Sequence, residues 1–87
     1  MKILWHTQAW QEYLDWQQKD KKVLRKINAL VKDILRNGYD CIGKPEPLKG
    51  NFSGFWSVRI DSKNRLVFRI NDDSLEIIQC AMHYLDK

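Results

Sequence analysis

The sequence has few cysteines and no long apolar run. Its two cysteines, Cys41 and Cys80, show neither a C-x-x-C motif nor another metal-ligand spacing. This excludes a small disulfide framework and a cysteine-bound zinc site. No segment approaches the roughly 20 apolar residues that span a bilayer, and the apolar start at residues 3–5 turns polar at once. We therefore expect a reduced, cytoplasmic protein with no membrane partner.

Length and charge set further bounds. With 87 residues, the chain is expected to form a single domain over 1–87, and such small domains bury only about 60% of the surface of the unfolded chain. A hydrophobic content of 44% argues against disorder. The net charge of +4 favours polyanions without proving that one is bound.

The first half of the chain predicts one strand and two helices. Residues 3–5 are typical of a short N-terminal strand, and Thr7 is a candidate N-cap for the first helix. The apolar face of that helix is predicted from spacings of three and four residues, and Trp16 is expected at its edge. The residues of this predicted face are Trp10, Tyr13, Leu14 and Gln17.

The second helix has the clearest periodicity in the sequence. Asp20 is its predicted cap, and Asn37-Gly38 is its predicted end. Its apolar face recurs over about four turns and comprises Val23, Leu24, Ile27, Leu30, Val31, Ile34 and Leu35. The basic residues on the opposite face are interpreted as solvated side chains rather than RNA contacts.

The second half predicts a loop and three strands. Residues 39–51 contain too much glycine and proline for regular structure. Alternating patterns at 55–60 and 65–70, and an apolar run at 75–82, predict antiparallel strands joined by turns at 61–64 and 71–74. The expected fold is α+β, with an N-terminal strand, two helices packed on one face of an antiparallel sheet, and three C-terminal strands.

Several polar residues in this half have the chemistry needed to cleave RNA through its own 2′-hydroxyl. That reaction needs a base, cations for the phosphate and an acid, and it requires no metal. Glu46, flanked by two prolines, is the candidate base, and His83 is the candidate acid. Strand alternation places Arg59, Arg65 and Arg69 on one face, where guanidinium groups can bind phosphate oxygens.

Each of these residues also has an ordinary structural interpretation. Glu46 could be a surface glutamate in a loop, the arginines could be solvated, and His83 with Tyr84 could be the end of a strand. His6 has no evident companion and is interpreted as a strand-end residue. Only the combination favours a site, in which Tyr84 offers a ring for an unstacked base and a hydroxyl for the phosphate.

Two adjacent motifs carry a resemblance to a known family. They are Gly43-Lys44-Pro45-Glu46-Pro47-Leu48-Lys49 and Ser53-Gly54-Phe55-Trp56-Ser57, followed by Arg65-Leu66-Val67 and a late His83-Tyr84. With these motifs the chain resembles, over nearly its whole length, the YoeB/Txe-type toxins of bacterial type II toxin-antitoxin systems. These toxins belong to the RelE-like superfamily, and the resemblance implies a RelE-like, microbial RNase-like fold.

The resemblance also implies a function. Such a toxin is expected to enter the ribosomal A site and cut messenger RNA there, without cofactor or metal, and so to stop translation. The implied roles are general base for Glu46, general acid for His83, phosphate stabilisation for Arg59 and Arg65, and support from Tyr84. Further RNA contacts are predicted at Lys44, Lys49 and Arg69.

Partners follow from the same resemblance. They are a YefM/Axe-like antitoxin whose C-terminal segment wraps the toxin, the ribosome with its messenger RNA, and operator DNA reached only through the antitoxin complex. The sequence departs from the family pattern at Val58, where a basic residue is expected, at Ala81-Met82, where Arg-Tyr is expected, and in the additional tail 85–87. Two alternatives stay open: a non-catalytic module that binds a gyrase-like target, and a toxin remnant that only binds an antitoxin.

Overall fold

The computed structural model describes residues 1–82 and contains two helices and a five-stranded sheet. The helices are α1 (Thr7–Lys19) and α2 (Lys21–Asn37). The strands are β1 (Lys2–Trp5), β2 (Glu46–Pro47), β3 (Trp56–Arg59), β4 (Arg65–Asn71) and β5 (Ser74–Gln79). Single 3-10 turns occur at Gly38–Asp40 and Gly50–Phe52.

The strands lie in the order β1-β5-β4-β3-β2. Strands β2 to β5 pair antiparallel, whereas β1 pairs parallel with β5. The predicted α+β class, with one N-terminal strand, two helices and three later strands, is confirmed. The predicted loop at 39–51 is more regular than expected, because it overlaps the two 3-10 turns and because Glu46 and Pro47 form a two-residue strand against Ser57 and Trp56. Proline is tolerated there since β2 is at the edge of the sheet.

Helix α2 forms as its sequence predicts. The Asp20 side chain accepts hydrogen bonds from the backbone N–H groups of Lys22 and Val23, which would otherwise lack partners. Gly38 ends the helix with a φ of 60°, a left-handed conformation that glycine adopts without steric cost. The face that packs on the sheet comprises Val23, Ile27, Leu30, Val31 and Ile34.

Helix α1 is rotated relative to the prediction. Its buried residues are Ala9 and Trp16, whereas Trp10 is 45% exposed. Two contacts explain the rotation: the Trp16 indole N–H donates to the Cys80 carbonyl at 2.9 Å, and the Cys80 thiol lies 3.5 Å from the Ala9 carbonyl. The predicted cap was also wrong by one position, because His6 occupies the N-cap and Thr7 is the first helical residue.

The two faces of the sheet have different roles. On one face Val58, Leu66, Phe68, Leu75 and Ile77 pack against the helices and form the core. The other face carries Arg59, Arg65, Arg69 and Glu76, because strand side chains alternate between the two faces. A β-bulge interrupts the pairing of β4 with β5 between Val67 and Phe68. We refer to the second face as the arginine face.

Candidate active site

Two hydrogen bonds fix the loop that leads into the site. In the first, the Ile42 backbone N–H donates to the Asp33 carboxylate on α2 at 2.7 Å. In the second, the Arg59 backbone N–H donates to the Gly43 carbonyl at 2.9 Å. Gly43 has a φ of +91°, and a Cβ there would lie 3.1 Å from side-chain atoms of Leu30 and Val58. Only glycine lets this loop pass so close to the core.

The same loop presents Glu46. Its strand β2 is fixed by pairing of Glu46 with Ser57 and by a hydrogen bond from the Leu48 N–H to the Phe55 carbonyl at 2.9 Å. The flanking prolines further restrict the backbone. The carboxylate itself is 59% exposed, so it is held in place by its backbone while remaining open to a ligand.

Arg65 faces both Glu46 and a buried serine. Its Nη1 donates to the Ser57 hydroxyl at 2.9 Å and lies 3.6 Å from the Glu46 Oε1. The Arg65 side chain is only 16% exposed, and Ser57 is fully buried. The guanidinium therefore has one fixed partner on the protein and still faces the carboxylate.

Arg59 completes the group from the neighbouring strand. It is directly opposite Arg65 in the antiparallel pairing of β3 with β4, and it is exposed. Lys44 lies on the loop side with a φ of 56°, a conformation that costs roughly 1–2 kcal/mol for a residue with a Cβ. Such local strain is concentrated at functional sites.

These side chains line one open cleft of about 410 Å³, together with the two prolines beside Glu46. Among the described residues, the charged groups of the cleft are one carboxylate, Glu46, and three cations, Lys44, Arg59 and Arg65. The excess of positive charge suits an anionic ligand, and the guanidinium groups can donate paired hydrogen bonds to phosphate oxygens. The structure thus brings together Lys44, Glu46, Arg59 and Arg65 from the predicted set.

The other predicted residues lie elsewhere or outside the described part. Lys49 is exposed and does not line the cleft. Arg69 is on the arginine face but is bound to Glu76, with its Nε 2.6 Å from the carboxylate. His83 and Tyr84 lie outside the described residues. The described chain ends at Met82, which forms a bridge with Asn64, and the Arg65 N–H donates to the Ala81 carbonyl at 3.0 Å.

Sequence reasoning missed the companion of His6. Its Nε2 donates to the Glu76 carboxylate at 2.7 Å, so Glu76 binds His6 on one side and Arg69 on the other. The hydrogen bond from Arg69, followed by that from His6, holds the pKa of Glu76 below its ordinary value. No local signal could reveal a contact between residues 70 positions apart.

Ser57 was also missed, although its signal was present. Strand alternation places Ser57 between Phe55 and Arg59 on the arginine face, where a buried hydroxyl requires a partner. Val58, by contrast, is fully buried in the core. At this position the chain therefore presents no side chain to the arginine face.

Residues 1–82 contain no group of three or more His, Cys, Asp or Glu side chains arranged to hold a metal ion. In the same residues, no helix is both long enough and apolar enough to cross a bilayer.

Comparison with known proteins identifies the family. Residues 5–84 match the family described as YoeB-like toxin of bacterial type II toxin-antitoxin system. The chain belongs to this YoeB-like toxin family. The Toxin YoeB of Synechocystis sp. is 55% identical to it over 84 residues, which are 97% of this chain and 98% of the relative.

Solved structures of family members agree with this assignment. The YoeB/ParE toxin from Agrobacterium tumefaciens superimposes with a TM-score of 0.93 at 42% identity, covering 97% of this chain and all of that chain. The toxin-like chain of a YoeB-YefM complex from Staphylococcus aureus matches with a TM-score of 0.89 at 44% identity, covering 97% and 98%. The predicted YoeB-type family and RelE-like fold are therefore confirmed.

Proposed function

We propose that this YoeB-type toxin is an endoribonuclease that cuts messenger RNA in the ribosomal A site and so inhibits translation. The observation that carries the proposal is the convergence of Glu46, Arg59 and Arg65 on one cleft. The proposed base and the two proposed phosphate ligands thus line the same cleft. Family membership supports the toxin role.

The reaction we propose is an internal transesterification. Glu46 takes the proton of the 2′-hydroxyl, and the 2′-oxygen attacks the adjacent phosphorus. A bond between the 2′-oxygen and phosphorus forms while the bond from phosphorus to the 5′-oxygen breaks, leaving a 2′,3′-cyclic phosphate. Arg59 and Arg65 stabilise the additional negative charge on the phosphorane. This chemistry needs no metal and no cofactor.

The departing 5′-oxygen needs a proton, and we assign that role to His83, with support from Tyr84. The assignment rests on the ordinary pKa of histidine near neutrality and on the family pattern. It is also consistent with the path of the described chain, because Met82 bridges Asn64, the residue before Arg65. Lys44 lines the cleft and is a further proposed RNA contact.

We infer that the toxin is held inactive by a cognate antitoxin whose C-terminal segment wraps it. The S. aureus relative is described as a YoeB-YefM complex, which supports a partner of this type. Contact with operator DNA would then occur only through the toxin-antitoxin complex. Action on translating ribosomes places the proposed activity in the cytoplasm.

The deciding experiment is cell-free translation of defined messages, followed by mapping of the new RNA ends with and without ribosomes. We expect cuts only on translated messages and at A-site codons. Glu46→Gln and His83→Gln should each abolish them, whereas Asp73→Asn, at a carboxylate that is 85% exposed, should not.

Other outcomes would reject the proposal. Unchanged cleavage by Glu46→Gln and His83→Gln would remove the catalytic roles. Intact messenger RNA together with DNA breaks in growth-arrested cells would favour a gyrase-binding module. Absence of cleavage with normal antitoxin affinity would favour a toxin remnant.

A further inference from the structure

A second cavity, separate from the cleft, opens beside the start of α1. Its volume is about 540 Å³, and within residues 1–82 no residue that lines it also lines the cleft. Among its lining residues are Phe55, Ile78, Gln79, Gln8 and Asn51. The size lies within the range of small-ligand sites, which are mostly apolar with a few polar groups.

This cavity lies on the arginine face, as the cleft does. Phe55, Ser57 and Arg59 alternate along one segment, so Phe55 and Arg59 point to the same side. Four residues of extended chain put them about 13 Å apart. At the bulge, Val67 pairs with Gln79 and Phe68 with Ile77, which leaves Ile78 as the extra residue. The bulge directs this part of β5 into the cavity.

The Phe55 ring lies against a side chain that is itself bound to the protein. The Arg69 guanidinium is 4.6 Å from the centroid of the ring, and Arg69 is itself bound to Glu76 at 2.6 Å. Glu76 is only 12% exposed and is bound on its other side by His6. A row of three side chains, His6, Glu76 and Arg69, thus leads across the sheet to one aromatic ring at the edge of the cavity. Nucleobases bind proteins by stacking on aromatic rings.

Three amide side chains line the cavity together with Phe55. Gln8 donates its NH₂ group to Glu12 and Gln79 donates its NH₂ group to the Met82 carbonyl, and each side chain also carries a carbonyl oxygen that can accept a hydrogen bond. Asn51 is exposed and carries both donor and acceptor groups. No carboxylate is among the described residues that line the cavity. Amides of this kind pair with the edges of unstacked bases.

We propose that this cavity binds a nucleobase of the substrate RNA next to the cleaved phosphodiester, stacked on Phe55 and read by Asn51 and the two glutamines. The inference rests on the proposed function, because it extends the RNA path from the cleft along the same face. It assigns base preference to the cavity and cleavage chemistry to the cleft. An antitoxin side chain is the competing occupant.

Direct binding is tested with the full-length Glu46→Gln variant and the four nucleoside 5′-monophosphates, followed by NMR. We expect shifts of the Phe55, Ile78 and Gln79 amides, with unequal affinities for the four bases. Shifts confined to residues of the cleft would overturn the inference. So would shifts at the cavity that only a peptide from the antitoxin C-terminus produces.

Base preference is tested by mapping cuts on messages in which the positions flanking the cut site are permuted. Asn51→Ala should reduce the preference for the favoured base by about tenfold, on the scale of losing contacts to one base. The matched control is Asn71→Ala, an exposed asparagine at the end of β4. An unchanged base preference in both Asn51→Ala and Phe55→Leu, which removes the ring, would overturn the inference.

Phe55→Leu removes the aromatic ring. The conservative variant Phe55→Tyr keeps the ring and should show the wild-type base preference. Thermal melting and antitoxin binding show whether each variant is folded. The two proposals fail in different ways. A wild-type protein that cuts no message contradicts the nuclease proposal, while the NMR titration still decides whether the cavity binds a base.

Discussion

Arg59 and Arg65 stand directly opposite each other on neighbouring antiparallel strands. Like charges in that arrangement destabilise a sheet, by up to about 1 kcal/mol. Glu46 is near Arg65 but 59% exposed, so water screens its attraction. The pair of guanidiniums therefore lowers stability at a place where an anion would bind, as expected of a site selected for function.

Removal of one guanidinium should therefore raise the stability of the protein and lower its activity. Arg59→Gln relieves the repulsion, so we expect the free energy of unfolding to rise by about 0.5 kcal/mol while cleavage falls by about 100-fold. Urea denaturation and the cell-free cleavage assay measure the two effects. Arg25→Gln, at an exposed position on α2, is the control and should change neither. A less stable Arg59→Gln protein would contradict the repulsion.

Ser57 is predicted to position Arg65. Ser57→Ala removes the 2.9 Å hydrogen bond to Nη1, and the loss of about 1 kcal/mol corresponds to roughly fivefold slower cleavage. Ser53→Ala, in the exposed loop before β3, should leave the rate unchanged. In an Arg65→Ala background the Ser57 substitution should have no further effect on the rate. Additive losses would show that Ser57 acts independently of Arg65.

Substitutions at two glycines with positive φ compare the stability cost of backbone strain alone with the cost of strain plus close packing. Gly50→Ala adds a Cβ with nothing within 4 Å, at a φ of +64°, and should cost about 1 kcal/mol of stability. Gly43→Ala is strained at its own positive φ of +91° and also brings its Cβ to 3.1 Å from Leu30 and Val58, so it should cost more, about 2–4 kcal/mol. Chemical denaturation of both variants measures the difference. Equal losses would mean that the loop moves freely away from the core.

The acid stability of the protein should depend on Glu76. Its folded-state pKa is lowered from 4.5 by the hydrogen bonds from Arg69 and His6. A lowered pKa adds stability that is fully present above pH 4.5 and is lost as the pH falls through the folded-state value. The thermal unfolding midpoint of the wild type should therefore decrease as the pH is lowered below 4.5. In Glu76→Gln the decrease should be less steep.

A second carboxylate contributes to the same window. Burial acts to raise the pKa of Asp61, but hydrogen bonds from Asn64 and from the Lys63 backbone outweigh it and the pKa is lowered. Some acid sensitivity should therefore remain in Glu76→Gln. Identical pH profiles for the wild type and Glu76→Gln would contradict the role of the His6–Glu76–Arg69 group.

The sequence predicts those parts of the fold whose signals are local. Asp20 caps α2, Gly38 ends it, and the turns at 61–64 and 71–74 lie where their Asp and Asn residues indicate. These features depend on residues a few positions apart. Strand alternation likewise predicts that Arg59 and Arg65 share a face, and the register of β3 with β4 agrees.

What the sequence could not predict depends on contacts between distant residues. The rotation of α1 follows from the bond of Trp16 to Cys80, which hydrophobic spacing within one helix does not contain. The strand at Glu46–Pro47 forms because Ser57 and Trp56 lie beside it, despite two prolines that oppose regular structure. The roles of Glu46 and His83 in the reaction stay predictions.

Strand β1 pairs parallel with β5, so β1 cannot join the sheet until β5 has been synthesised. Residues Lys2 to Trp5 precede their partners, Ser74 to Ile77, by 72 positions in the sequence. Closing so long a loop is entropically costly and slow. A nascent chain thus lacks one edge of its sheet until Ser74 to Ile77 have been synthesised. A protein proposed to attack ribosomes would accordingly complete its own sheet only after a ribosome has made most of the described chain.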